Sequence, residues 1–332
     1  MTTTTDRNGP ARSPIPLYID CDTGIDDALA LTYLLAEPAV RIVGIGTVFG
    51  NIDAVKAATN TLGLLELAGR AEIPVAVGAH DPLTGRFGGG APSVHGTDGV
   101  GDVGLHPLGS VSRDETAMQL LARLAEEHGG SLRVLAIGPL TNLALFLEQF
   151  PDHVALISEV VVMGGAFEHR GNVTPSAEAN IHNDPEAAQK VFQGAWPVTV
   201  LPLDITMRHV LTEQETIALG AIPGALPPAV SAMFDVYLDA YEGVYGKRQC
   251  ALHDPLAALV AAGAVAVLSE TSEVSIGVLT DGDERGRTVV MGQNLSGSSG
   301  SRIVVDVDGA AASLLLDRIR LHHWPSAASG VR

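Results

Sequence analysis

The sequence predicts an α/β protein: an open, mostly parallel sheet flanked by helices on both faces, with a small antiparallel hairpin and extra helices late in the chain. Three observations point there. Short apolar runs alternate with stretches of helical periodicity, the rhythm of repeated strand and helix units. The first run, Pro16 to Asp20, stops at acidic and glycine residues, as a buried parallel strand does at a functional edge. Further on, Glu273 to Val290 alternates around Asp281-Gly282-Asp283, which predicts an antiparallel hairpin.

The elements follow in order. After the opening strand, apolar residues at helical spacing from Ala28 to Leu35 predict a helix, with Asp26 and Asp27 placed to cap it. Arg41 to Thr47 reads as a strand, Ala54 to Leu67 as a helix and Pro74 to Val77 as a strand. Ala117 to Glu127 reads as a helix, Leu132 to Ile137 as a strand, Leu140 to Phe146 as a helix and Glu159 to Met163 as a strand. Pro185 to Phe192 then reads as a helix and Val198 to Leu203 as a strand, after which the chain is expected to be mostly helical until the hairpin. Ligands of open parallel sheets sit outside the carboxyl ends of the strands. Two long glycine-rich segments there, Gly85 to Gly104 and Gly164 to Asn183, have the length of lids.

No internal repeat or clean linker divides the 332 residues, so 15–325 are expected to form one domain. The preceding residues 1–14 read as a disordered tail, because their Thr, Asn, Gly, Pro and Arg offer nothing to bury. Acidic residues outnumber basic ones 38 to 20, for a net charge of −18. That sign repels phosphate backbones and anionic headgroups, which argues against nucleic acid and membrane partners and favours small substrates and divalent cations. Cys21 and Cys250 are too few for a disulfide scaffold. The opening MTTTTDRNGPARSPIP carries no apolar export segment, and the nearly apolar stretch Pro255 to Leu268 falls short of the roughly 20 residues that span a bilayer. A cytoplasmic protein is the expectation.

The sharpest local signal is Asp20-Cys21-Asp22-Thr23-Gly24-Ile25-Asp26-Asp27, four carboxylates in eight residues. Charges so close repel, so the fold needs a cation or several donors there. The candidate ligands are hard oxygens, which favours Ca²⁺ or Mg²⁺ over Zn²⁺. Helix capping accounts for Asp26 or Asp27 and leaves Asp20 and Asp22 without a role. The spacing is not that of an EF-hand, since Gly24 stands where a third ligand belongs. It is close to the D-x-D-x-[T/V] pattern of aspartyl-phosphate phosphatases, but Gly24 again departs from it. Cys21 sits among carboxylates that raise its pKa, so an inert thiol is expected.

The pattern Asp20-x-Asp22-x-Gly24-x-Asp26-Asp27 resembles the signature of the inosine-uridine-preferring nucleoside hydrolases, calcium-dependent enzymes that cut the N-glycosidic bond of ribonucleosides. Further blocks agree in order. They are Val48-Phe49-Gly50-Asn51, Val94-His95-Gly96, Ile137 to Asn142, Val162 to Gly165, Gly171-Asn172 with Glu178 and Asn180, Asp184 to Ala188, and His253-Asp254-Pro255. The resemblance runs from Pro16 to beyond Pro255, and seven ordered blocks are far more specific than one acidic cluster.

The resemblance implies the nucleoside hydrolase form of a Rossmann-like sheet and assigns roles residue by residue. Asp22, Asp27, the backbone carbonyl of Ile137 and Asp254 would hold Ca²⁺, with ribose hydroxyls and a water completing the shell. Asp22 would also take a proton from that metal-bound water as it attacks the anomeric carbon through an oxocarbenium-like transition state. Asp26, Asn51, Met163, Asn172, Glu178, Asn180 and Asp254 would surround the sugar. His253 would assist departure of the base, and His95 would lie on the base side. Tyr241 and Tyr245 match relatives only loosely, and core packing is the competing reading for both. Ala179 replaces an aromatic of some relatives, one extra residue lies in Glu168 to Gly171, and the path from Tyr245 to His253 is short; base preference is therefore the part that transfers least. Relatives imply a homo-oligomer, dimer or tetramer. Two alternatives stand beside this reading: a Mg²⁺-dependent phosphohydrolase with Asp20 or Asp22 as nucleophile, and a non-catalytic Ca²⁺- or ribose-binding protein.

Overall fold

A computed structural model of the protein describes residues 13–111, 114–271, 273–293 and 300–326. The expected tail falls outside these residues except for Ser13 and Pro14, which are exposed and without regular structure. In chain order the first half comprises β1 (Ile15–Cys21), α1 (Ile25–Ala36), β2 (Val40–Thr47), α2 (Ala54–Leu67), β3 (Val75–Val77), α3 (Pro92–His95), α4 (Ala117–His128), β4 (Leu132–Ala136), α5 (Thr141–Gln149) and β5 (Ile157–Met163). There follow α6 (Ala179–Asn183), α7 (Pro185–Phe192), β6 (Val198–Leu201), α8 (Leu203–Thr206), β7 (Val210–Thr212), α9 (Glu213–Gly220), α10 (Leu226–Tyr245), β8 (Gln249–Ala251) and α11 (His253–Ala261). The chain closes on β9 (Val267–Glu270), β10 (Val274–Val278), β11 (Thr288–Gln293), β12 (Ser301–Val307) and α12 (Ala311–Leu321).

The expected α/β architecture is present. Among the described residues a ten-stranded sheet runs β11-β10-β12-β6-β5-β4-β1-β2-β3, with β9 pairing off the path on β12. From β12 to β3 the pairings are parallel, and β10 and β11 form the expected antiparallel hairpin. Side chains alternate between the faces as a strand requires. Leu17, Ile19 and Cys21 enter the core shared with α1, α10 and α11, whereas Tyr18 enters the one shared with α4, α5 and α7. Both faces of β1 are covered, which is why its residues read as a continuous apolar run.

Several boundaries differ from the sequence expectation for local reasons. The strand expected to reach Leu203 stops at Leu201, because Pro202 has no N–H to give a ladder and Leu203 to Thr206 wind into α8. The region expected to be mostly helical also holds the two-stranded antiparallel sheet of β7 and β8, strands of three residues and too short to show alternation. β12, unmarked in the sequence reading, inserts beside β6 and extends the parallel sheet. α1 starts at Ile25 with Gly24 as its N-cap; the Asp27 carboxylate accepts the Gly24 N–H at 2.7 Å, while Asp26 turns away from the helix end.

The register sets the place of the site. Asp20 on β1 lies beside Gly46 of β2 and Ala136 of β4, so Asp22, Ile137 and, from β5, Met163 emerge at the same carboxyl edge.

Candidate active site

Two helices begin at that edge. Asp26 and Asp27 occupy the first turn of α1, and His253 and Asp254 open α11, which packs against α1. The positive ends of both helix dipoles thus face the acidic cluster and offset part of its repulsion. Oxygens of Asp26, Asp27 and Asp254 lie within 4.8 Å of one another, and all three residues are buried. Asp26 Oδ1 and Asp27 Oδ1 have no hydrogen-bond partner among the described residues. Burial, reinforced by Asp26, pushes the Asp27 carboxyl up to about 8. Burial and neighbouring carboxylates likewise push Asp22 and Asp254 well above the usual carboxylate range. Orphaned buried oxygens that repel one another are what a hard divalent cation relieves, so the donor set fits such an ion.

Asp22 lies outside that trio. Its carboxylate accepts the Asn51 backbone N–H at 2.7 Å and the Asn51 amide at 3.3 Å, and the same amide reaches Asp27 at 3.4 Å. A Cβ on Gly50 would overlap the Asp22 carboxylate, so only glycine lets this strand edge approach so closely. The Ile137 carbonyl accepts from the Asn180 amide at 3.2 Å, which also reaches the Met163 carbonyl at 3.1 Å, while the Ile137 side chain packs in the core.

Above the trio opens a cavity of about 440 Å³, within the usual range for small-molecule sites. Of the residues singled out in the sequence, Asp26, Asn51, His95, Ile137, Met163, Asn172, Glu178, Asn180, His253 and Asp254 all line it, and so do Ala179, Tyr241 and Tyr245. Both glycine-rich segments wall it, one through α3 and the other through Asn172 to Asn180. Glu178 is the N-cap of α6; its carboxylate accepts the N–H groups of Gly165, Asn180 and Ile181, and burial still lifts it to about 6. Asn172 accepts the Ala179 N–H at 2.9 Å.

On the opposite wall, burial lowers both histidines, His253 to about 4, so their imidazoles are neutral near pH 7. The Ile25 N–H donates to His95 Nδ1 at 3.1 Å, which leaves the ring hydrogen on Nε2. His253 is held from both sides, Nδ1 2.9 Å from the Thr206 hydroxyl and Nε2 2.8 Å from the Tyr241 hydroxyl. Tyr241 therefore contributes to the cavity as well as to packing. Sequence reasoning missed Tyr237, whose hydroxyl donates to Asp26 at 3.0 Å, although its spacing from Tyr241 and Tyr245 places all three on one face of α10. Thr206 gave no sequence signal, since its partner lies far along the chain. Asp20 is occupied elsewhere: it accepts from the Asn142 amide at 3.1 Å and from Tyr18 at 3.4 Å, sewing β1 to α5. Cys21 is buried, and burial first, then Asp27, pushes its thiol up, in keeping with an inert group.

Fold and cluster together define an α/β enzyme site suited to a hard cation and a small polar substrate. The comparisons make this particular: the inosine-uridine preferring nucleoside hydrolase profile matches residues 17–313, and the chain belongs to that family, hydrolases of N-glycosyl bonds. Uridine nucleosidase 1 of Arabidopsis thaliana is 40% identical over 243 residues, 72% of this chain and 71% of the relative. The pyrimidine-specific ribonucleoside hydrolase RihA of Escherichia coli is 35% identical over 312 residues, 93% of this chain and 99% of the relative. Among solved structures, the plant nucleoside hydrolase PpNRh1 superposes with a TM-score of 0.86 at 31% identity, covering 93% of this chain and 100% of that one. Family membership does not favour the phosphohydrolase or binding-protein alternatives, and Asp20, one of the two nucleophiles considered for the former, is engaged by Asn142 and Tyr18.

Proposed function

We propose that this protein is a Ca²⁺-dependent ribonucleoside hydrolase that releases ribose and a free base in nucleoside salvage. The observation that carries the reading is the buried carboxylate trio with orphaned oxygens, opening on a cavity that also holds His253. Asp27 and Asp254, with Asp22 and the Ile137 carbonyl, would hold the ion, and Asp26 sits at their edge facing the sugar. When bound, Ca²⁺ supplies a positive charge that anchors sugar hydroxyls and acidifies the attacking water.

The remaining work falls to the chain. Asp22 accepts a proton from the water while its oxygen bonds to the anomeric carbon. The carbon–nitrogen bond breaks, and its electron pair leaves with the base. His253, neutral in this cavity, assists the departing base by hydrogen bonding, with the Tyr241 hydroxyl on Nε2 placed to pass that bond on, and the base takes up its proton from solvent. Asp26, Asp254 and Glu178 place negative charge around a sugar ring that becomes positive, and Asn51, Asn172 and Asn180 offer amides to its hydroxyls. Met163 lies against the same wall, and His95 presents Nε2–H toward the base side.

Uridine is the first substrate to try, because the relatives at 40% and 35% identity are named for uridine and pyrimidine ribonucleosides. We further take residues 15–325 as one catalytic domain, working as a cytoplasmic homo-oligomer of two or four chains. The acidic charge fits a small substrate better than a nucleic acid, and among the described residues no helix is long and apolar enough to cross a membrane. The test is ribose release from uridine, cytidine and inosine, abolished by chelation and restored by Ca²⁺. Metal-replete protein that leaves all three intact refutes the proposal.

A further inference from the structure

The short helix α8, which neither the sequence signature nor the cavity lining marks, touches both sides of the candidate site. Its Asp204 carboxylate accepts three successive backbone N–H groups of the loop after β5: Phe167 at 2.9 Å, Glu168 at 2.6 Å and His169 at 3.0 Å. That loop continues into Asn172 and Val173, which line the active-site cavity. Beside it lies a second cavity, lined by Phe167, Glu168, His169 and Asp204 itself, while Phe167 also packs against the core on the sheet face shared with α4, α5 and α7. Further ties nearby come from Thr288, which exchanges hydrogen bonds with Ala166 at 3.0 and 2.7 Å, and from Glu178, which accepts the Gly165 N–H at 3.0 Å. Within the same helical turn, Thr206 is fully buried and places its hydroxyl 2.9 Å from His253 Nδ1. The helix is itself fixed to the sheet edge, with Leu203 N–H on the Gly165 carbonyl at 2.9 Å.

We propose that α8 is a positioning element for the reaction: Asp204 sets the loop that brings Asn172 to the sugar, and Thr206 sets the imidazole of His253 on the side of the departing base. The proposal rests on the ribohydrolase reading above. Its two halves carry different kinetic signatures. Orientation of His253 matters only when the leaving group needs help, whereas placement of the sugar-side loop matters whatever leaves.

The experiment compares uridine with 4-nitrophenyl riboside, whose nitrophenolate departs without protonation. Thr206→Val, which keeps the volume and removes the hydroxyl, is expected to lower kcat on uridine by about tenfold or more, since a side chain that assists a departing group contributes about 10²–10⁴ in rate and is here misdirected rather than removed. On the aryl riboside the same variant is expected within about twofold of the wild type, and Thr206→Ser is expected to recover most of the loss on uridine. Asp204→Ala is expected to raise KM by about tenfold on both substrates with a smaller change in kcat, and Asp204→Asn, which keeps one acceptor oxygen, to fall between. A purely structural role would scale kcat alike on both substrates by the fraction folded, with KM unchanged. Equal losses of Thr206→Val on the two substrates, or an unchanged KM in Asp204→Ala, overturn the inference alone. A wild type inert toward both substrates overturns it together with the ribohydrolase reading.

Discussion

The Tyr237 hydroxyl donates to Asp26 Oδ2 at 3.0 Å, tying α10 to the first turn of α1 beside the carboxylate trio. The other oxygen, Oδ1, is left without a partner among the described residues and belongs to a residue that lines the cavity. Helix α10 thereby holds a cavity-lining carboxylate in place. Tyr237→Phe keeps the ring, which packs against His95 and Tyr241, and removes the hydroxyl that makes this bond. A hydrogen bond to a charged group is worth about 1.5–3 kcal/mol, so a lowered melting temperature is expected together with a fall in kcat/KM on uridine of about tenfold or more. Steady-state kinetics beside a thermal melt checks this.

The buried carboxylates make the stability of the metal-free protein depend on pH. Folded Asp27 titrates near 8, and Asp22 and Asp254 are raised as well, against about 4 for an unfolded carboxyl. Between those values the folded state holds protons that the unfolded chain has released, so stability is present at low pH and is lost as pH rises. In chelator, Tm is expected to fall from pH 5 to pH 8. Asp254→Asn removes one charge and should make the fall shallower, and Ca²⁺ should abolish it in the wild type. Thermal melts across that range decide it, and a metal-free Tm that rises with pH would contradict the cluster electrostatics.

Asp20 sits in the acidic motif yet serves the fold. Asp20→Ala removes one acceptor of the buried Asn142 amide, which keeps the Thr47 carbonyl at 3.1 Å, and one of the Tyr18 hydroxyl, which keeps the Ala117 carbonyl at 3.1 Å, so the cost is about 0.5–1.5 kcal/mol for each hydrogen bond lost. A lowered Tm is expected, with calcium affinity within about threefold of the wild type in the folded protein, since only charge at a distance is lost. Denaturation and calcium titration of the one variant separate the two effects.

Gly50→Ala tests the placement of Asp22. The added methyl would displace the carboxylate that accepts from Asn51. A displacement of about 1 Å at a reacting group costs about 10²-fold, so kcat on uridine is expected to drop by about that factor while the far-ultraviolet spectrum stays that of the wild type.

Much of the molecule was legible in the sequence, and the failures share a cause. The alternating strands and helices up to β6 are local patterns, and burial on both sheet faces made β1 and β5 conspicuous as apolar runs. The hairpin of β10 and β11 was marked by its turn residues. β12 escaped because its place is set by pairing with β6, a partner about a hundred residues away in sequence. The acidic motif announced the site by charge density alone, yet charge density could not separate Asp20, which holds Asn142, from Asp26 and Asp27, which keep free oxygens. Tyr237 and Thr206 stayed hidden for the reason β12 did: each acts on a residue that only the fold brings near.

The central claim is that Asp27 and Asp254 share one calcium ion with the groups around them. Calorimetric titration of chelator-stripped protein with Ca²⁺ tests it most directly, comparing the wild type with Asp254→Asn. One ion bound per chain is expected in the wild type, and in the variant a loss of affinity of about tenfold or more. An absence of calcium binding by the wild type, or equal binding by Asp254→Asn, would contradict it.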